Sequence, residues 1–366
     1  MNRFFGFLVC FGVVTGLSAQ PSTNPDPKPI IQLSLNENPY GPPAGVNQAI
    51  EQELKQLTRY TGNEGAALVA AIAKREGVDP DQIIPGEILE PLGLYLGLKG
   101  GLDGEFIYSV PGYPVLVNAA ASVGGRIVTV PLTDRKENDL LAIAGRISER
   151  TQAIFLVNPH NPSGTVSDKQ AFHAFLHEAS KRSLVIVDEA YLEFTDDFSG
   201  RTAITDLKQG DKVMVFRTFA KAYGLAGMSI GYAVAPKPLA AYLHAKGLGN
   251  VHDLDRLSVV AALTALTDTA FIPRVNQAIT AERAKWHTLL DKLGIAHTSS
   301  QANFVYIDLQ KPYEEMAAKF IQNDIRIGRT FAPYSTWIRI TIGLPEENSK
   351  AQAVVRQLWS AQPSTK

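Results

Sequence analysis

The sequence predicts an α/β fold, with a mostly parallel central sheet in a large domain and a smaller α+β domain after it. Two observations carry this. Strand-like runs at residues 106–110, 127–131, 153–157, 184–188, 213–217 and 231–235 are largely apolar on consecutive positions, as in strands covered on both faces, and helical patterns separate several of them. Near the carboxyl end, two more strand patterns at 302–309 and 337–343 enclose a helix.

Taken in order, residues 1–19 place one arginine before an apolar stretch with small residues behind it, the pattern of a secretory signal peptide. Export to the periplasm or the medium is therefore expected, or a cytoplasmic location if the segment is not used. Cys10, the only cysteine, lies in that stretch, so the mature chain is expected to have neither disulfide nor thiol chemistry. Residues 20–45 read as a Pro-rich spacer followed by an ordered, turn-rich arm. The large domain is expected over 46–250 and the small one over 251–366. Helices are predicted at 46–57 and 65–76, the second ending at Gly77, where a left-handed glycine would stop it. Another spans about 168–182, with Ser167 and Gln170 spaced as a capping box, and a long one covers 273–293.

The chain has 366 residues, 45% of them hydrophobic and 19% charged, with a formal charge of −1. It lacks any run of five like charges, so neither a nucleic-acid footprint nor a polybasic membrane patch is visible. A small molecule is the expected partner, and no metal site is expected.

Ligands of open α/β sheets bind beyond the carboxyl ends of the strands, and polar residues cluster there. Asn161 follows the third strand pattern, Asp188 ends the fourth, and Lys221 lies just past the fifth. A lysine amine in such a place suits a Schiff-base nucleophile, for which an aldehyde is the natural partner. Each residue also has an ordinary reading: Asn161 as a turn former between prolines, Asp188 as a helix cap, Tyr113 as core filling.

Four segments, Asn158-Pro-His-Asn-Pro-Ser-Gly164, Asp188-Glu-Ala-Tyr191, Lys221-Ala-Tyr-Gly-Leu-Ala-Gly227 and Arg339-Ile-Thr-Ile-Gly343, resemble the motifs of the class I/II pyridoxal-phosphate aminotransferases. Within that group, Leu35-Asn-Glu-Asn-Pro-Tyr-Gly41 and Ala302-Asn-Phe304 are similar to histidinol-phosphate aminotransferase signatures. The likeness covers residue 30 to the carboxyl end. It implies the aspartate-aminotransferase-like fold (PLP fold type I) with pyridoxal 5′-phosphate as cofactor, an amino donor and a 2-oxo acid as substrates, and a homodimer. It further implies that Lys221 holds the cofactor and moves protons, that Asp188 meets the pyridine nitrogen, and that Asn161 and Tyr191 meet the phenolic oxygen. Tyr113 would stack on the ring, and Tyr60 would reach the partner subunit's cofactor phosphate. Arg339 would bind the substrate carboxylate, and Tyr40 would line the entrance. Arg329, outside those motifs, is a candidate for a substrate phosphate or side-chain carboxylate, or else a solvated loop arginine.

Departures accompany the likeness. Ala220 replaces a serine that touches the cofactor phosphate, Ser229 replaces an arginine opposite it, and Glu87 and Glu90 enter the segment aligned with the phosphate-cradling turn. Arg217 is a candidate replacement cation, or else a surface or interdomain arginine. Alternatives to transamination are decarboxylation on the same fold and a non-catalytic descendant.

Overall fold

The computed structural model describes residues 29–360, so the expected signal segment 1–19 and Cys10 lie outside the described residues. The strands, in chain order, are β1 (Ile31–Leu33), β2 (Ile83–Pro85), β3 (Glu105–Val110), β4 (Arg126–Pro131), β5 (Thr151–Val157), β6 (Leu184–Asp188), β7 (Val213–Thr218), β8 (Gly231–Val234), β9 (Phe304–Asp308), β10 (Ile325–Ile327) and β11 (Trp337–Thr341). Seven of them form one sheet in the order β2-β8-β7-β6-β5-β3-β4. Strands β3 to β7 pair in parallel, and β8 runs antiparallel to both β7 and β2. The exception has a local cause. Between β7 and β8 the chain has only the short turn Ala226–Met228 in place of a crossover helix, so it must double back.

The pleat sorts the core. Along β5, Ile154 and Leu156 pack into one apolar cluster, while Ala153, Phe155 and Val157 pack into the cluster on the opposite face. Burying each such aliphatic or aromatic side chain is worth about 1.5–3 kcal/mol, which is why consecutive positions are apolar.

Helix Asn63–Glu76 ends where expected, at Gly77 with φ 64°. Helix Lys169–Ser180 begins otherwise than the Ser167/Gln170 capping box predicts: Asp168 is the cap, its carboxylate accepting from the Ala171 amide at 2.9 Å. Ser167 is instead tied to the preceding loop, its amide donating to Asn158 Oδ1 at 3.2 Å. The expected helix over 46–57 is α-helical only at Val46–Glu53 and then tightens into a 3-10 turn at Leu54–Gln56. In the carboxyl-terminal part, β9 and β11 pair antiparallel, with helix Tyr313–Ile321 between them in sequence. Strand β1 pairs in parallel with β10, which ties the amino-terminal arm to that part.

Candidate active site

Parallel register sets Val157, Asp188 and Phe216 side by side where β5, β6 and β7 end. Beyond them lies a cavity of about 500 Å³ whose walls include all three, together with Asn161, Lys221 and Arg339. The sheet thus delivers residues distant in sequence to one crevice, as the strand-end rule predicts.

Asp188 is 3% exposed, and one carboxylate oxygen accepts from the Ala190 amide at 3.0 Å. Burial pushes its pKa up to about 7; the charge of Glu87 adds to the rise, while the Ala190 amide and Lys221 oppose it. Its oxygens take part in no salt bridge among the described residues, so a cationic ring nitrogen is the kind of partner that would keep it ionised.

Lys221 opens onto the same cavity and donates from Nζ to the Leu35 carbonyl at 3.0 Å. The arm lies across the lysine loop at further points: Asn38 Nδ2 donates to the Ala222 carbonyl at 2.8 Å. Gly224 has φ 69°, and a Cβ there would stand 2.3 Å from the Gly41 carbonyl oxygen. Only glycine allows that approach.

Asn161 and Tyr191 meet each other, Asn161 Nδ2 donating to the Tyr191 hydroxyl at 3.3 Å. The sequence reading missed Asn36, whose Nδ2 donates to the same hydroxyl at 3.0 Å. Asn36 adopts φ 58°, and Thr341 and Asn303 hold its backbone amide and carbonyl. The signal was present in the turn-rich Leu35–Gly41 segment, where asparagine tolerates the left-handed region. Arg339 donates to Asn161 Oδ1 at 2.5 Å and to the Ser34 carbonyl at 2.8 Å, while its buried Nε has no partner among the described residues. Burial lowers its pKa and Arg329 adds to the effect, so an anion in the cavity would relieve both. Arg329 also lines the cavity, its guanidinium 4.5 Å from the Phe331 ring centre.

Tyr113 is half-exposed on the cavity wall, and burial, with Asp188 second, pushes its phenol up to about 12. Tyr40 and Tyr60 do not line this cavity within the one chain, and Tyr60 is 88% exposed.

Arg217 is neither a surface residue nor a cavity cation. The pleat turns its neighbours Phe216 and Thr218 toward the cavity, and Arg217, 1% exposed, meets Glu189 at 2.8 Å and Glu76 at 3.1 Å. Glu189 points away from Asp188's side of the sheet for the same reason.

The residues fit a pyridoxal ring, because a buried carboxylate without a cation partner and a lysine amine open onto one cavity. The other end differs. There Thr218 donates to Glu87 Oε1 at 3.1 Å and accepts from the Ala220 amide at 3.0 Å, beside Ser229.

The family model for aminotransferase class I and II matches residues 28–354. Histidinol-phosphate aminotransferase from Limosilactobacillus fermentum is 33% identical over 333 residues, covering 90% of this chain and 91% of that protein. Among solved structures, histidinol-phosphate aminotransferase from Sinorhizobium meliloti in complex with pyridoxal-5'-phosphate superposes with a TM-score of 0.81 at 29% identity, covering 90% of this chain and 92% of that one. The enzyme of that name from Clostridium acetobutylicum gives a TM-score of 0.81 at 25% identity, over 91% and 100%.

Proposed function

This chain belongs to the class I and II aminotransferases, which are pyridoxal-phosphate enzymes, and from that premise we propose that it moves an amino group from an amino acid or a histidinol-phosphate-like amino-alcohol phosphate to a 2-oxo acid such as 2-oxoglutarate. The observation that carries the reading is the shared cavity of Asp188 and Lys221, with Arg339 and Arg329 on its wall.

Bound there, the cofactor's pyridoxal ring would supply an electron sink for negative charge developing at the substrate's reacting carbon. Asp188 would hold that sink in its electron-withdrawing form by pairing with the protonated ring nitrogen. Asn161 and Tyr191, locked by Asn36 and Arg339, would face the phenolic oxygen, and Tyr113 would cover the ring. Lys221 would anchor the aldehyde; with its amine released by the incoming donor, Nζ would take the proton from the substrate carbon and deliver it to the cofactor's former aldehyde carbon. Arg339 would orient the donor through its carboxylate or phosphate.

Purified mature protein, offered a panel of donors with 2-oxoglutarate, is expected to form the donor's keto product and glutamate, read by mass. Carbon dioxide release without glutamate would establish the decarboxylating alternative. Replacing Arg339 by Lys keeps a charge but loses the planar fork, so donor KM should rise about tenfold to a hundredfold. Unchanged KM would remove Arg339 from the substrate site.

The active form is proposed to be a homodimer. Tyr60, Leu57 and Leu54 stand exposed together on one segment, where a partner subunit would cover them and receive Tyr60 near its own cofactor phosphate. Export is likewise proposed, on the signal pattern of residues 1–19. In a fractionated host, the mature chain is expected outside the cytoplasm with a new amino terminus near residue 19; an intact Met1 on cytoplasmic protein would overturn this.

A further inference from the structure

Pyridoxal carries its substituents in a fixed order around the ring: nitrogen, then, on successive carbons opposite it, the phenolic oxygen, the aldehyde and the 5′ group. With the nitrogen at Asp188, the aldehyde at Lys221 and the phenolic oxygen at Asn161 and Tyr191, the 5′ group falls on the side of the lysine loop away from Asn161. That side is formed by Glu87, Thr218, Ala220 and Ser229. The titratable side chain among these four is an acid, Glu87, and the acid Glu90 lines the same cavity. Glu87 is accessible from the cavity and anchored in place, its carboxylate accepting from Thr218 Oγ1 at 3.1 Å; Oε1 lies so close to the β8 backbone that a Cβ at Gly231 would be 3.1 Å away.

Of the cavity's cations, Arg339 is committed to Asn161 and Ser34, Arg329 lies against Phe331, and Lys221 is the aldehyde's own partner. Arg217, two strand positions from the lysine loop, is sealed under the sheet by Glu76 and Glu189. Among the described residues none of these cations forms an ion pair with Glu87, whose hydrogen-bond partner is Thr218. Burial already raises the Glu87 pKa, with Thr218 and Lys221 acting against the rise. A phosphate dianion arriving there must either meet the carboxylate's charge or bring a proton with it. A neutral hydroxymethyl group does neither, and can donate its hydroxyl to the carboxylate.

We propose that Glu87 selects against a dianionic 5′ group, so that this site takes unphosphorylated pyridoxal at least as tightly as pyridoxal 5′-phosphate. The proposal rests on the reading that Asp188 and Lys221 hold the pyridoxal ring. Covalent attachment itself is the same for both vitamers: the Lys221 nitrogen bonds to the aldehyde carbon and the aldehyde oxygen leaves as water.

The test titrates cofactor-free protein with each vitamer, reading the visible absorbance of the lysine adduct and confirming its position by borohydride reduction and peptide mass. The wild-type chain is expected to bind pyridoxal as tightly as the phosphate or more so. Glu87→Gln, which keeps a hydrogen-bonding group but loses the charge, should tighten the phosphate form about tenfold or more relative to pyridoxal. Ser229→Arg, which places a guanidinium on the opposite wall, should move the ratio the same way and serves if the first variant does not fold. A wild-type preference for the phosphate form, or a ratio that neither variant moves, overturns the proposal and leaves the ring-binding reading standing. If neither vitamer forms an adduct at position 221, the ring-binding reading falls and the proposal with it.

Discussion

Lys221→Ala is expected to lose both the borohydride-trapped adduct and about ten-thousandfold in amino transfer, because in the proposed mechanism one side chain is both the covalent anchor and the proton carrier. The fold should survive the change. The hydrogen bond from Nζ to the Leu35 carbonyl is the one that the lysine side chain makes, and a single such bond is worth about 0.5–1.5 kcal/mol. Lys221→Arg separates the roles further: it restores a cation near Asp188 but no nucleophile, so stability should match the parent while activity does not return. Keto-product formation by Lys221→Ala at a rate near the parent's would remove this residue from the chemistry and, with it, the proposed mechanism.

The largest effect on stability is expected on the other side of the same strand. Arg217 donates to Glu189 at 2.8 and 3.1 Å, to Glu76 at 3.1 Å and to Thr202 at 2.8 Å, with its guanidinium 4.5 Å from the Phe198 ring centre. Tyr232 completes the group by donating to Glu76 at 2.7 Å. Arg217→Met keeps most of the volume but strands the buried Glu189 carboxylate and leaves Glu76 with Arg75 at 3.4 Å as its cation, a class of change that costs about 3–5 kcal/mol. A urea titration should show the midpoint falling with the slope unchanged.

The pH dependence follows from Glu189. Burial holds its folded-state pKa above the unfolded value even beside the guanidinium, and removing the guanidinium raises it further. The folded state then binds a proton more readily than the unfolded chain. That contribution is present below the unfolded carboxyl pKa and is lost as pH rises through the folded one. The deficit of the variant should therefore be smaller at acid pH and grow toward neutrality and above. A variant as stable as the parent at neutral pH would show that the network contributes nothing net.

Much of the cavity's lining is legible in the sequence, because it sits where local patterns change. Asp188 and Lys221 follow apolar runs whose length and composition already mark strands, and a chain that leaves a parallel strand must turn at its carboxyl end. The helix stop at Gly77 was equally legible, since a left-handed residue after a periodic stretch favours glycine. Strand β8 was visible as a strand but not in its direction, which depends on whether the intervening residues form a crossover helix or a tight return.

What the sequence alone determined was thus the alternation of strands and helices, the family, and the placing of Lys221 and Asp188 beyond strand ends, all set by local periodicity and by residues at strand ends. Only the tertiary structure decided which face each neighbour takes and which distant group it meets: Glu189 and Arg217 under the sheet with Glu76, Asn36 of the arm on the Tyr191 hydroxyl, and Glu87 against Thr218. The reason is geometric. A strand's side chains alternate by one position, so adjacent charged residues serve opposite faces, and partners more than a hundred residues apart are fixed by sheet order and register, which no local pattern encodes.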